Sequence, residues 1–496
     1  MSQDTDSKLL GAVLIVRHGD RQGFYQDPET YTATATQITP LGNQEEFLLG
    51  SYLRSLYLNE SSPSYIPGMS TGLFNQSQVY IQADLGGEDG VVYDSCVSLT
   101  QGLWPVTPSN NITLANGTTV TAPLGGYQYI PSEFLSMALA NTRCSHRAVE
   151  SVDPNLSVSL EGFDDCNTFN AHTTAFYNSS QFQEMATQSA PFLNSLPPYL
   201  DGRSVMLQNM WNIFDFMNVN NIHNATFAQA LPPTYLAQVR ALANWHEYNV
   251  FSDNAIGGIG NIAGMTLLPS ILNGFADIAN STNPVKLSIT AIAYKPFLSL
   301  FNMTGVAAAN PSLAGIIDYA AAAAFELRQS STGGEPVIRF NFKNGSDAAF
   351  VTYNFLNRTG DVPLSAFIDA MAPVSVNTTA DWCSICANTQ DRGCAALTLA
   401  TEQGEAAVRP KIGPVGAGFL GAGLTLAVVA FMVGALAFLG VLTVGKFRKR
   451  RPRAAGVVRD LYAHRSSWFN ANDSSNSKTA KVHDLTLAKR KLSILL

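Results

Sequence analysis

The chain has 496 residues, 46% hydrophobic and 14% charged, with 38 Gly and 24 Pro. That composition is globular and long enough for one large α/β domain or two or three smaller ones. The net charge of −7 conceals an acidic body with 17 Lys/Arg against 34 Asp/Glu and, from Lys446 onward, a basic tail with 13 against 3. So acidic a body excludes nucleic acid as its partner.

The chain begins MSQDTDSKLLGAVLIV. Acidic residues precede a short apolar run with no small-residue cleavage site, so this is not a secretory signal. Any targeting segment is expected upstream of it. Leu9 to Arg17 reads instead as a strand buried on both faces, continuous and β-branched near its end. It ends in Arg17-His18-Gly19-Asp20-Arg21. Thr39 caps the next element and Pro40 takes its first helical position, with Leu41, Phe47, Leu48, Tyr52 and Leu56 at helical spacing. Val79 to Ala83 is a second strand, and Ser95 to Leu103 a helix ended by Trp104-Pro105.

From about residue 105 to 250 the chain is richer in Asn, Ser and Pro, with helical patches at Ser132 to Ala140 and Thr234 to Trp245. This is expected to be a mostly helical cap. Lys286 to Ala293 is a strand, Phe297 to Asn302 a helix interrupted near Gly305, and Val337 to Phe342 with Phe350 to Phe355 a hairpin around Asn344-Gly345. Pro363 to Met371 is a short helix before the cysteine cluster.

Residues 1–400 form the expected ectodomain and 401–414 a linker. Val415 to Val444 holds 30 residues without a charge, and a helix needs only about 20 to cross the hydrocarbon core. Lys446, Arg448, Lys449, Arg450, Arg451 and Arg453 follow at once, which places residues 445–496, a basic disordered tail, in the cytosol. The body is then extracellular or luminal, as in a single-pass type I membrane protein. Twelve Asn-X-Ser/Thr triplets in the body fit a glycosylated surface. All six cysteines (Cys96, Cys144, Cys166, Cys383, Cys386, Cys394) lie in the body and are expected in disulfides, with fifteen ways of pairing them. Cys383-x-x-Cys386 has no second pair at zinc spacing, so no metal is expected.

The pentad carries the chemistry. A phosphoryl group must be gripped at its equatorial oxygens and attacked in line. Arginine bonds two such oxygens at once and stays charged, while neutral imidazole is a nucleophile at mild pH. Arg17 and Arg21 beside His18 therefore make a phosphate pocket with a built-in nucleophile, for phosphate or a phosphomonoester and without a cofactor.

The chain resembles the histidine acid phosphatase family, in the acid phosphatase and phytase branch of the histidine phosphatase superfamily, and is most similar to fungal membrane-anchored members. The resemblance rests on RHGDR, ITPLGNQEEFLLGSYLRSLY, SCVSLTQGLWP, VIRFNFKNGSD, VPLSAFIDAMAP and DWCSIC, and spans roughly residues 9 to 395. It implies a three-layer α/β/α phosphoglycerate-mutase-like core with a helical cap, His18 as nucleophile, and Arg17 and Arg21 as phosphate ligands.

Two of the family's features are altered. A further arginine is expected after a strand, but VYIQADLGGEDGVVYDSC has none, and no Arg or Lys lies between Arg54 and Arg143. Asp84, Glu88 and Asp89 in this stretch are the candidate proton donors. A His-Asp dipeptide is expected after KLSITAI, where Ala293 and Tyr294 stand. Alanine neither donates nor binds, and a phenol of pKa about 10 is a poor acid. His483-Asp484, the only such dipeptide, lies in the tail. Arg143, Arg147, Arg203, Arg240 and Lys295 are candidate replacement cations, each expected as a solvated surface charge instead. His146, His172, His223 and His246 read as ordinary surface or packing histidines. Two functions follow: phosphomonoester hydrolysis through a phosphohistidine at His18, or a pseudophosphatase that holds phosphate or serves structurally without turnover.

Overall fold

The computed structural model describes residues 7–28, 36–86, 90–130, 132–134, 149–152, 157–330 and 333–405. The chain divides into residues 1–408 and 409–496, and the expected membrane helix, tail and His483-Asp484 lie outside the described residues, in the second part.

The strands are β1 (Lys8–Arg17), β2 (Val79–Asp84), β3 (Asn111–Thr113), β4 (Thr119–Thr121), β5 (Ser132–Phe134), β6 (Val149–Val152), β7 (Leu287–Ile292), β8 (Ala322–Gln329), β9 (Val337–Lys343), β10 (Val351–Tyr353) and β11 (Val362–Pro363). All but the β3–β4 hairpin join one mixed sheet, ordered β10-β9-β8-β1-β7-β2-β6-β5 with β11 beside β9. From β1 to β5 neighbouring strands are parallel, whereas β8 runs antiparallel to β1 and to β9. The C-terminal ends of β1, β7 and β2 thus open on one edge, where open α/β sheets place their ligands.

Alternation along β1 builds three layers. Val13 and Ile15 pack with Leu267, Leu268, Ile271 and Phe275 of the helix Ile262–Ala279. Ala12, Leu14 and Val16 pack on the other face with α1 (Pro40–Tyr57) and α2 (Val91–Leu103). Each fully buried Leu or Ile contributes about 1.5–3 kcal/mol. Ile259–Ala279 is long and apolar enough to span a membrane, but it is mostly buried as the core helix of this layer.

The first helix starts as expected, with Thr39 accepting from the Gly42 N–H and Pro40 at its first position. Its buried face differs from the apolar stripe. Leu41, Phe47 and Leu48 are exposed, and Glu46, Leu49, Gly50, Leu53 and Tyr57 face inward. The cause is a glycine contact with α2: a Cβ on Gly50 would stand 2.0 Å from the Leu99 carbonyl oxygen, and one on Gly102 2.1 Å from that of Phe47. Backbones this close fix the helix rotation through small residues.

Two further expectations change, and one strand goes unpredicted. The second helix begins four residues early, at Val91 after Gly90. Ser132–Phe134 is a strand rather than the start of a helix, because it pairs with β6 at the sheet edge. The alanine-rich β8, paired over its whole length on both sides, escaped sequence reading because AAAFELRQ favours helix locally. Helices Asn167–Tyr177, Ser180–Leu193, Met210–His223 and Tyr235–Val250 lie in the stretch where the cap is expected and have a core of their own around Phe182, Met210, Ile213, Met217 and Val239.

Disulfides join Cys166 to Cys386 and Cys383 to Cys394. Cys96 is not in a disulfide: it is a free thiol buried in the apolar cluster under α1 and α2, and Cys144 lies outside the described residues. Burial, and then Glu46, push the Cys96 thiol well above its ordinary pKa.

Candidate active site

The central strand β1 delivers Arg17 and His18 to the open edge. Arg17 pairs in register with Ile292 of β7, the His18 N–H meets the Ile292 carbonyl at 3.4 Å, and the Ala320 N–H donates to the His18 carbonyl at 3.1 Å. Ala293 and Tyr294, the altered His-Asp position, follow Ile292 and therefore stand beside His18. Gly19 serves packing: its Cβ would lie 2.4 Å from the Gly42 carbonyl oxygen, so the loop rests directly on the start of α1. The Gly19 N–H donates to Ser95 Oγ at 3.1 Å, which ties the loop to α2 as well.

His18 is 1% exposed, and its Nδ1 lies 2.8 Å from the Gly19 carbonyl oxygen. A carbonyl can only accept, so the proton sits on Nδ1 and the lone pair on Nε2. The imidazole stands 5.5 Å from the Tyr319 ring. Burial pushes the Tyr319 hydroxyl up to about 12, against the opposing pull of Arg21.

Both arginines line one pocket, together with Asp215, Arg240, Ala293, Tyr294, Lys295 and Tyr319. Arg17 donates to the Ile317 carbonyl and lies over the rings of Tyr319, at 4.4 Å, and Tyr294, at 5.3 Å. Arg21 Nη1 donates to Asp215 Oδ1 at 2.9 Å and to the Gln22 carbonyl at 3.0 Å. Asp215 Oδ2 also accepts from the Phe24 N–H at 2.9 Å. Asp20, fully buried, accepts from the Thr39 hydroxyl and contacts His223 Nε2 at 2.7 Å. One helix, Met210–His223, therefore grips the loop after β1 at two carboxylate contacts.

Lys295 and Arg240 both line this pocket, Lys295 half-buried and Arg240 still 35% exposed. Arg240 is held by Asp318 at 2.6 Å, and Lys295 lies over the Phe163 ring at 4.5 Å. Burial works to lower the Lys295 pKa, but Asp164, Glu247 and Glu161 outweigh it and raise it overall. Arg203 instead binds the Tyr25 and Gln26 carbonyls and does not line the pocket, and Arg143 and Arg147 lie outside the described residues.

Gln82, at the expected arginine position, is directed elsewhere. Its amide donates to Ser270 Oγ and, at 3.0 Å, to Thr290 Oγ1, its register partner on β7. Asp84 is buried at the end of β2, accepts from the Gly86 N–H at 3.0 Å and does not line the pocket. Glu88 and Asp89 lie outside the described residues.

Sequence reasoning missed a buried polar chain behind Tyr294. The Tyr294 hydroxyl donates to Glu247 Oε2 at 2.7 Å, Glu247 Oε1 lies 2.8 Å from His246 Nδ1, and His246 Nε2 lies 2.9 Å from the Tyr177 hydroxyl. His246 is thus no ordinary packing histidine. The signal available was the adjacent pair His246-Glu247 inside an apolar helix pattern, where buried charge must be partnered. Of the others, His172 stacks on Phe169 near Asp253, and His146 lies outside the described residues.

A histidine between two arginines, set at the end of the central strand of a mixed α/β sheet, is the arrangement that the resemblance leads one to expect. No family model matches the chain. Bovine prostatic acid phosphatase is 22% identical over 394 residues, covering 78% of this chain and 89% of that protein. A Hafnia alvei phytase solved with myo-inositol hexakis sulphate has a TM-score of 0.49 and 12% identity, covering 77% of this chain and 98% of its own. A Bifidobacterium longum multiple inositol polyphosphate phosphatase solved with inositol hexasulfate has a TM-score of 0.38 and 11% identity, covering 70% and 88%. The RHGDR motif and the similarity to bovine prostatic acid phosphatase both support the resemblance to the histidine acid phosphatase family.

Proposed function

We propose that the chain hydrolyses a phosphomonoester through a phosphohistidine at His18. The observation that carries this reading is the 2.8 Å contact of His18 Nδ1 with the Gly19 carbonyl, which puts the lone pair on Nε2 of a histidine whose chain neighbours Arg17 and Arg21 both line the pocket. The ester P–O bond breaks as the P–Nε2 bond forms, the leaving oxygen takes a proton, and water then releases phosphate. The full chain in detergent is tested on p-nitrophenyl phosphate from acid to neutral pH beside His18→Ala. Turnover lost with the substitution supports the reading, and equal background from both proteins overturns it.

A second reading, phosphate binding without turnover, is favoured by one observation. Arg21 is engaged by Asp215, Arg240 by Asp318, and Arg17 by a carbonyl and two rings, so an anion must displace groups of the protein itself. Vanadate or phosphate binding by a chain without turnover selects it.

The chain is further proposed to be a glycosylated, single-pass type I membrane protein, like fungal membrane-anchored members. Residues 415–444 would span the bilayer, the ectodomain would be extracellular or luminal, and the basic tail cytosolic. Support comes from that segment's length and flanking charge, and from sequon asparagines such as Asn59, Asn116, Asn224 and Asn377 that are exposed. Resistance to carbonate extraction, with protease removing only the tail from sealed vesicles, is the result expected. Release by carbonate contradicts it.

A further inference from the structure

The altered His-Asp position lacks the residue that would protonate the leaving oxygen, yet it is not inert. Tyr294 lines the pocket beside His18's strand, half-buried, with its ring 5.3 Å from the Arg17 guanidinium. Behind it, hydrogen bonds of 2.7, 2.8 and 2.9 Å join Tyr294, Glu247, His246 and Tyr177 in an unbroken line. Glu247 and His246 are each 2% exposed. A buried carboxylate bonded on one oxygen to an imidazole and on the other to a phenol is placed to pass a proton between them. Phosphate-gripping residues have no use for such a line, and packing alone is served better by apolar side chains.

We propose that Tyr294 delivers the leaving-group proton and that Glu247, backed by His246, resupplies it, replacing the missing His-Asp pair. This rests on the reading that His18 accepts the phosphoryl group. With Glu247 in its acid form, Oε2–H donates to the phenol oxygen and the Tyr294 O–H turns to the ester oxygen. As the P–O bond breaks and the P–Nε2 bond forms, the phenol proton passes to the leaving oxygen and the Glu247 proton passes to the phenol. Tyr294 ends unchanged, Glu247 ends as a carboxylate, and the alcohol leaves neutral. When water attacks the phosphohistidine, its proton returns through Tyr294 to Glu247. A relay of this kind suits a phenol held protonated, and burial pushes the Tyr294 hydroxyl well above its ordinary pKa. Tyr294 gives a proton only as it receives one. Glu247 and His246 are positioning residues, since neither lines the pocket.

The test is leaving-group dependence. A nitrophenolate leaves without a proton, whereas an alkoxide cannot. Tyr294→Phe and Glu247→Gln are assayed in the full chain on p-nitrophenyl phosphate and on glycerol 2-phosphate. The ratio of the two rates is independent of how much protein is folded. The expected result is a fall of ~10²-fold or more in the alkyl-to-aryl ratio in both variants, the scale of general acid catalysis. A ratio unchanged in either variant overturns the relay and leaves the His18 reading standing. If the unaltered chain turns over neither substrate above its His18→Ala variant, the His18 reading falls and the relay falls with it.

Discussion

Asp215 Oδ1 lies 2.9 Å from Arg21 Nη1, so the arginine proposed as the second phosphate grip is held by a carboxylate of the helix Met210–His223. A ligand anion competes with Asp215 for the same guanidinium. Asp215→Asn removes that charge and keeps the shape. Phosphate inhibition or vanadate binding should tighten on the order of tenfold, since hydrogen bonds to charged groups are worth ~1.5–3 kcal/mol. Weaker binding would show instead that Asp215 holds Arg21 in place for the ligand.

Gly42 allows no side chain. Its Cβ would stand 2.0 Å from the Asp20 carbonyl oxygen, and both groups are backbone-fixed. Gly42→Ala should cost about 1–3 kcal/mol by overpacking and push the loop off α1. The expected outcome is a lower thermal midpoint together with a loss of phosphate binding. An unchanged midpoint contradicts it.

The Cys166–Cys386 bridge closes 220 residues and joins the start of the cap to the C-terminal helices. Replacing both by Ser should cost about 2–5 kcal/mol in urea unfolding. Cys96, buried and held as a thiol, should resist alkylation in the native chain and react once it is unfolded. Fast labelling of Cys96 under native conditions would contradict its placement.

Glu46 is 1% exposed, and burial, then Glu45, raise its pKa well above the ordinary 4.5, against Lys343. Between the unfolded and folded pKa values the native chain binds the extra proton, so this group's contribution to stability falls as pH rises above about 4.5. Below that value the penalty is absent. Glu46→Gln should therefore stabilise the chain at neutral pH, with a gain that fades on acidification. Unfolding midpoints measured across that range check it, and a gain that grows toward acid contradicts the sign.

Much of the scaffold was legible in the residues. The strand at Leu9 to Arg17, the Thr39-Pro40 cap, the strand before Ala293 and the hairpin at Asn344-Gly345 are local patterns, and each forms as read. What escaped reading depends on contacts distant in sequence. The face buried by Pro40–Tyr57 is chosen by Gly50 against Gly102, and β8 is a strand only because β1 and β9 flank it. At the site, the loop's own His18, Arg17 and Arg21 were visible as a motif. Asp215, Lys295 and the His246-Glu247 pair reach the pocket region from separate helices, and no spacing in the chain announces their meeting.

Phosphorylation of His18 is the event on which the proposed hydrolysis turns. The full chain is mixed with p-nitrophenyl phosphate, quenched in base within a turnover, and digested for mass spectrometry of the Val13-to-Phe24 region. A phosphoryl group on His18 is expected, stable to base, labile to acid and absent from His18→Ala. Turnover with no label on His18, or a label that persists in His18→Ala, would contradict it.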